Sequence, residues 1–222
     1  VSAPDPAAAP GPLPTRLVLA SRSPARLATL RSAGLDPEVV VSGVDESQVR
    51  HRDPAALAGE LAVLKAAAVA SAVDPPGVVV GCDSVLALDG EIHGKPASPE
   101  EAVQRWRRMR GSSGVLHTGH CVVDLATGRR VTGSGATTVH FADLSEEEIS
   151  AYVATGEPLE VAGAFTLDGL GGAFVTGIEG DPHNVVGISL PLLRRLLADL
   201  GHRWSDFWTS TPHGRPAPHP EG

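Results

Sequence analysis

The stretch LVLASRSPAR, Leu17 to Arg26, joins three signals within ten residues. Leu17, Val18 and Leu19 form a short apolar run of the kind found in a sheet core. Ser23 followed by Pro24 reads as an N-cap and first helical residue, and Ala25, Leu27, Ala28 and Leu30 continue a helix that Gly34 ends. A strand that runs straight into a helix start aims unpaired backbone N–H groups at one spot. Ser21, Arg22, Ser23 and Arg26 surround that spot with side-chain donors, a setting that suits a phosphate. The same signal also marks an ordinary capped helix, so other parts of the chain must decide.

Outward from this stretch, short apolar runs alternate with helical patterns, which predicts an α/β fold. A second short strand is expected at Val39 to Val41, then the polar turn SGVDES, which carries adjacent carboxylates at Asp45 and Glu46. Asp53-Pro54 starts a long Ala-rich helix reaching about Val73, with Leu57, Leu61, Leu64 and Ala68 on its apolar face and Lys65 one step off it. Val78 to Val80 leads into Gly81-Cys82-Asp83-Ser84, and Val85 to Leu88 leads out to a hairpin turn at Asp89-Gly90. An acid thus interrupts what reads as a central strand. Capping-box patterns at Ser98 and Ser145 open two more helices. Strands at Val115 to Val123 and Arg129 to Phe141 form a hairpin, Gly163 to Gly172 is a glycine-rich loop, and Ala173 to Ile178 is a further strand. Pro191 to Leu200 is the last helix.

Composition bounds the function. At 222 residues, 42% hydrophobic and 20% charged, the chain has material for a sizeable core. Residues 16–203 are expected to form one domain, between a Pro/Ala-rich leader at 1–15 and a tail at 204–222 whose Trp204, Phe207 and Trp208 offer anchors. A net charge of −8 argues against a nucleic acid polymer as partner, and no apolar run reaches the length of a membrane span. Cys82 and Cys121 show no zinc or redox spacing, which predicts a reduced, cytoplasmic protein.

The basic residues hold a clue. Of 18 Lys plus Arg, only Lys65 and Lys95 are lysine, and an ammonium is a compact point charge suited to a phosphate oxygen. P-loop, zincin, nucleophile-elbow and dinucleotide-binding motifs do not occur. His117 and His120 read as structural or surface residues, and Cys82 as a buried structural thiol. What remains is a set of carboxylates, cations and a helix N-terminus, which describes metal-assisted attack of water on a phosphate ester.

Five stretches, LVLASRSPARLATL, SGVDES, GCDSVLALDGEIHGKP, YVATGEPLEVAGAFTLDGLGG and IEGDPHNVVGISLPL, resemble in order the signature blocks of the Maf family. Its members are nucleoside triphosphate pyrophosphatases, first named for an effect on septum formation. The resemblance runs from about Leu17 to about Leu200. It implies an α/β two-lobed body around a mixed sheet, with flanking helices and a deep cleft similar to that of inosine triphosphate pyrophosphatases. It also implies hydrolysis of nucleoside or deoxynucleoside triphosphates to the monophosphate and pyrophosphate with a divalent cation, Mg²⁺ or Mn²⁺. Clearance of non-standard nucleotides is one purpose that fits, and a homodimer is a possible assembly.

By the same resemblance, Ser21, Ser23, Arg26, Lys65 and Lys95 bind the phosphates, Asp83 is the catalytic acid/base, and Glu46, with Asp45 beside it, holds the metal. Where a branch that resembles dTTP and UTP hydrolases has Arg, Thr and Gln, this chain has Ala25, Ser84 and Asp168, which puts base specificity at those positions. The alternative from another class is a nucleotide-binding regulator of septation that acts through a protein partner with little turnover.

Overall fold

The computed structural model describes residues 15–209 and places seven strands in one mixed sheet. Strand β1 (Leu17–Leu19) lies parallel to β2 (Glu38–Val39) on one side and to β3 (Val78–Leu88) on the other. Beyond β3 the sheet turns antiparallel through β5 (Ser113–Asp124), β6 (Arg130–Phe141) and β7 (Val175–Glu179), while β4 (Glu91–His93) folds back on the end of β3. Asp83 does not break the central strand: β3 is continuous, and Asp83 pairs with Gly119 of β5 in regular register. Among the described residues no helix is long and apolar enough to cross a membrane.

The pairing leaves a notch. Along one edge, β5 pairs with β3 from Val78 to Ala87. Along the other, β1 covers only Val78 to Val80 and β4 only Leu86 to Leu88. Gly81 to Val85 therefore have no strand beside them on that edge. The turn after β1 stands at one end of the gap and the β3–β4 hairpin at the other.

Residues two apart on a strand share a face, so β3 sorts its side chains cleanly. Val78, Val80 and Cys82 join a core with α1 (Pro24–Ser32) and α6 (Leu190–Asp199), whereas Leu86 and Leu88, on the same face, join a second core with α3 (Pro99–Met109) and α4 (Glu146–Ala154). The second core is centred on Trp106, which meets Phe141, Tyr152 and Phe174 edge to face. Between the two cores, on that face, fall the polar residues Ser84 and Thr118. These two apolar bodies on one sheet are the two lobes. The opposite face carries α2 (Pro54–Ala70) over a third cluster containing Val79 and Cys121.

Two differences from the sequence expectation have physical causes. The buried face of α2 is Ala58, Leu61, Ala62, Lys65, Ala66 and Val69, and Leu64 points outward. Small residues win because the sheet offers glycines: a Cβ at Gly81 would stand 2.5 Å from the Ala62 carbonyl oxygen, and one at Gly119 would run into the carbonyl of Ala58. A short helix, α5 (Pro182–Val186), capped by Asp181 with Pro182 first, occupies what reads as a connection. Past 203 the chain is held at the aromatic positions the sequence offers as anchors. Phe207 is buried, Leu35 bridges to Trp208, and the Thr15 N–H donates to the Asp206 carbonyl at 2.7 Å. The rest of the expected leader and tail lies outside the described residues.

Candidate active site

On the α2 face, the close seating of α2 on Gly81 and Gly119 brings Lys65 over Asp83, the next residue after Gly81 on that side of β3. Lys65 Nζ lies 2.5 Å from Asp83 Oδ1 and 2.7 Å from Glu46 Oε1. Burial pushes the Asp83 carboxyl above the ordinary carboxylate range, while the charges of Lys65 and Arg26 pull it down. Glu46 comes from a one-turn helix, Glu46–Gln48, and is exposed. Asp45 does not join the pair. It caps that turn, with Oδ1 accepting from the Ser47 N–H at 3.0 Å and Oδ2 from the Gln48 amide at 3.1 Å, bonds that hold its carboxyl below the usual range.

On the other face the chemistry is neutral around one cation. Arg26 donates from Nε to the Gly187 carbonyl at 2.7 Å, from Nη1 to Ser21 Oγ at 3.1 Å and from Nη2 to Ser84 Oγ at 3.1 Å. Ser21 Oγ also accepts the Ser23 N–H at 3.1 Å, and Ser23 Oγ caps α1 by accepting the Arg26 N–H at 3.3 Å. Both serine oxygens act here as acceptors, which leaves their hydroxyl protons available to a phosphate at the helix start. Ser84 Oγ lies 2.9 Å from Thr118 Oγ1, whose hydroxyl donates to the Asn184 carbonyl at 2.9 Å.

The remaining expected residues stand elsewhere. Lys95 is exposed in the turn after β4, with Glu160 3.9 Å from its Nζ. Ala25 shares one side of α1 with Ala28, Thr29 and Ser32, which line a pocket of about 350 Å³ together with Asp168 and His183. Asp168 is exposed in the glycine-rich loop. Glu157 ties that loop down: its carboxylate accepts from the Tyr152 and Thr166 hydroxyls and from the Leu170 and Gly171 N–H groups. Thr118, Asn184, Gly187 and Glu157 escape a reading of the sequence because each acts through a partner distant in the chain. Only Asp181-Pro182, a cap followed by proline, signals the helix that carries Asn184.

Cys82 and His120 take structural roles. Burial raises the Cys82 thiol to about 12, which removes it as a nucleophile. His120 is fully buried: Nε2 accepts the Ser189 N–H at 2.9 Å, so the proton sits on Nδ1 and faces the Thr118 carbonyl at 3.1 Å. Among the described residues no group of three His, Cys, Asp or Glu side chains suited to a metal occurs. Two carboxylates meeting on one ammonium nevertheless fit a hard cation of the Mg²⁺ type, which takes one or two protein carboxylates and completes its shell with phosphate oxygens and water.

The sequence comparisons identify the family. The family model described as Maf-like protein matches residues 16–200. This chain belongs to the Maf-like family. A relative from Salinispora tropica is 58% identical over 212 residues, covering 94% of each chain, and one from Streptomyces coelicolor is 59% identical, covering 87% of this chain and 94% of its own. A Cutibacterium acnes relative is 55% identical, covering 90% and 98% respectively. All three are named nucleoside triphosphate pyrophosphatase. Among solved structures, the Staphylococcus aureus Ham1 protein aligns at a TM-score of 0.42 and 18% identity, over 58% of this chain and 73% of its own. That overlap is partial, and the Maf-like fold described above stands on its own strand order.

Proposed function

We propose that this Maf-like protein hydrolyses nucleoside triphosphates to the monophosphate and pyrophosphate. The observation that carries the reading is Asp83, buried on Lys65 at the notch of β3, beside a helix start whose serine protons are uncommitted. The names of relatives at 55–59% identity support the same reaction.

The triphosphate lies on the Ser21 to Arg26 turn. Ser21, Ser23 and the first N–H groups of α1 donate to its oxygens, and Arg26 turns its remaining N–H groups to them. Lys95, from the hairpin across the notch, adds a point charge. Asp83 takes a proton from water as the water oxygen attacks the α-phosphorus; the bond to the bridging oxygen breaks, and pyrophosphate leaves with the electron pair. The charge of Lys65 opposes the upward push that burial gives the Asp83 carboxyl, which favours the ionised form this role needs. The proposed cofactor is Mg²⁺ or Mn²⁺, held by Glu46 and Asp83, and it would neutralise charge on the phosphate oxygens.

For the base, Ala25 leaves space, and Asp168, an acceptor when ionised, suits the adjacent N1–H and N2–H₂ donors of guanine better than the carbonyls of uracil or thymine. The hydroxyl of Ser84 is engaged by Arg26 and Thr118, so base reading falls to Ala25 and Asp168. A panel of standard and modified triphosphates, assayed for pyrophosphate with and without chelator, tests reaction and base together. We expect metal-dependent release, guanine-type substrates ahead of dTTP and UTP, and a shift toward pyrimidines in Asp168→Gln. Nucleotide affinity with no pyrophosphate at any metal concentration would instead leave a binding protein, such as a regulator of septation. An unchanged ranking in Asp168→Gln would remove the base-reading role.

A further inference from the structure

We infer that Thr118 is a positioning residue that sets the orientation of Arg26 through Ser84, an inference that rests on the triphosphate-binding role proposed for Arg26. The Thr118 hydroxyl has one proton, and the only role the Asn184 carbonyl has at 2.9 Å is to accept it. In the 2.9 Å contact between Thr118 Oγ1 and Ser84 Oγ, Ser84 must therefore be the donor. With its own proton so placed, Ser84 meets Arg26 Nη2 purely as an acceptor, at 3.1 Å. The chain Arg26, Ser84, Thr118, Asn184 runs in one direction, and each hydroxyl in it gives one bond and takes one.

The second grip on the guanidinium ends on the same short helix. Arg26 Nε donates directly to the carbonyl of Gly187, the residue that caps α5, and α5 also carries Asn184. Asn184 is fully buried and locked by its amide nitrogen to the Leu116 carbonyl at 3.1 Å and to Thr137 Oγ1 at 3.2 Å. Gly135 faces it without a side chain, because a Cβ there would collide with Asn184 Oδ1. Two arms from one rigid anchor thus fix the plane of Arg26. Three of its five N–H groups are engaged by protein, and the other two are left for the substrate. Thr118 is wholly buried and its hydroxyl is bonded to Ser84 and Asn184, so its hydrogen-bond path to Arg26 passes through Ser84.

The test is a kinetic and binding cycle. Thr118→Val keeps the shape and removes the hydroxyl, and it should raise KM for the triphosphate about tenfold while kcat stays within about twofold, the effect expected when one charge-assisted bond loses its orientation. Thr118→Ser, which keeps the proton relay, should restore KM. Ser84→Ala should match Thr118→Val, and the double variant should be no worse than either. In an Arg26→Ala background, Thr118→Val should have no further effect on KM. The same tenfold loss in the presence and absence of Arg26, or no loss at all in a folded Thr118→Val, would overturn the inference. Calorimetric binding of a non-hydrolysable triphosphate runs beside turnover. If wild type binds it but releases no pyrophosphate from substrates, the pyrophosphatase reading fails, while the binding cycle still decides the role of Thr118. Should Thr118→Val not fold, Ser84→Ala and its dependence on Arg26 carry the same decision.

Discussion

Asp83 and Ser84 are neighbours in the chain but fall on opposite faces of the sheet, and each face handles a cation differently. On the α2 face, Lys65 sits among carboxylates, 2.5 Å from Asp83 and 2.7 Å from Glu46. On the α1 face, Arg26 is held by two hydroxyls and a backbone carbonyl, and among the described residues no carboxylate pairs with it. The first arrangement buries a carboxylate against an ammonium and sets two carboxylates against one cation. The second orients a cation without cancelling its charge, so the charge remains for an anionic substrate. A single strand thus separates a lysine held by carboxylates from an arginine held by neutral acceptors, by the alternation of its side chains.

The contrast is broken most strongly at Asp83. Asp83→Asn should keep the fold, since Glu46 remains as partner to Lys65, and should lower kcat by about two to four orders of magnitude, the worth of a positioned general base. Near-normal pyrophosphate release from a protein with unchanged thermal melting would take Asp83 out of the mechanism.

A smaller effect is expected at Lys65, and its signature is in pH. Burial raises the Asp83 pKa and Lys65 opposes that rise. Lys65→Met removes the opposition and leaves Glu46, whose charge raises the pKa further. The acid limb of kcat/KM should then move to higher pH. An unmoved limb in an active Lys65→Met protein would mean that the limb reports some group other than Asp83.

On the neutral face the weakest point is acid, and the readout is stability. His120 is buried, and its pKa is lowered from 6.5 to about 4. The folded pKa lies below the unfolded one, so the neutral ring contributes stability above pH 6.5, and this contribution is lost as pH falls toward 4. The loss is roughly 3 kcal/mol, because burial disfavours the charged ring, and a protonated Nε2 also cannot accept the Ser189 N–H. Denaturant melts between pH 7 and 4.5 should show this decline in wild type and a shallower one in His120→Gln. Parallel declines in the two proteins would assign the acid sensitivity to other groups.

Local features follow from residues close together in the chain. The Ser23-Pro24 helix start, the capping box at Ser145 and the strand around Asp83 depend on residues a few positions apart, and the structure forms each of them. Ser21, Ser23 and Arg26 were legible for the same reason, since one strand-to-helix turn holds all three. Tertiary structure decided what depends on contact between distant segments. The apparent apolar face of α2 gives way to its alanine side because Gly81 and Gly119 admit close packing there, and only that rotation buries Lys65 against Asp83. Likewise α5 becomes the anchor of Arg26 across 161 positions of chain. Side-chain spacing encodes which residues share a face; which face is covered, and by what, is set by the shape of the surface it meets.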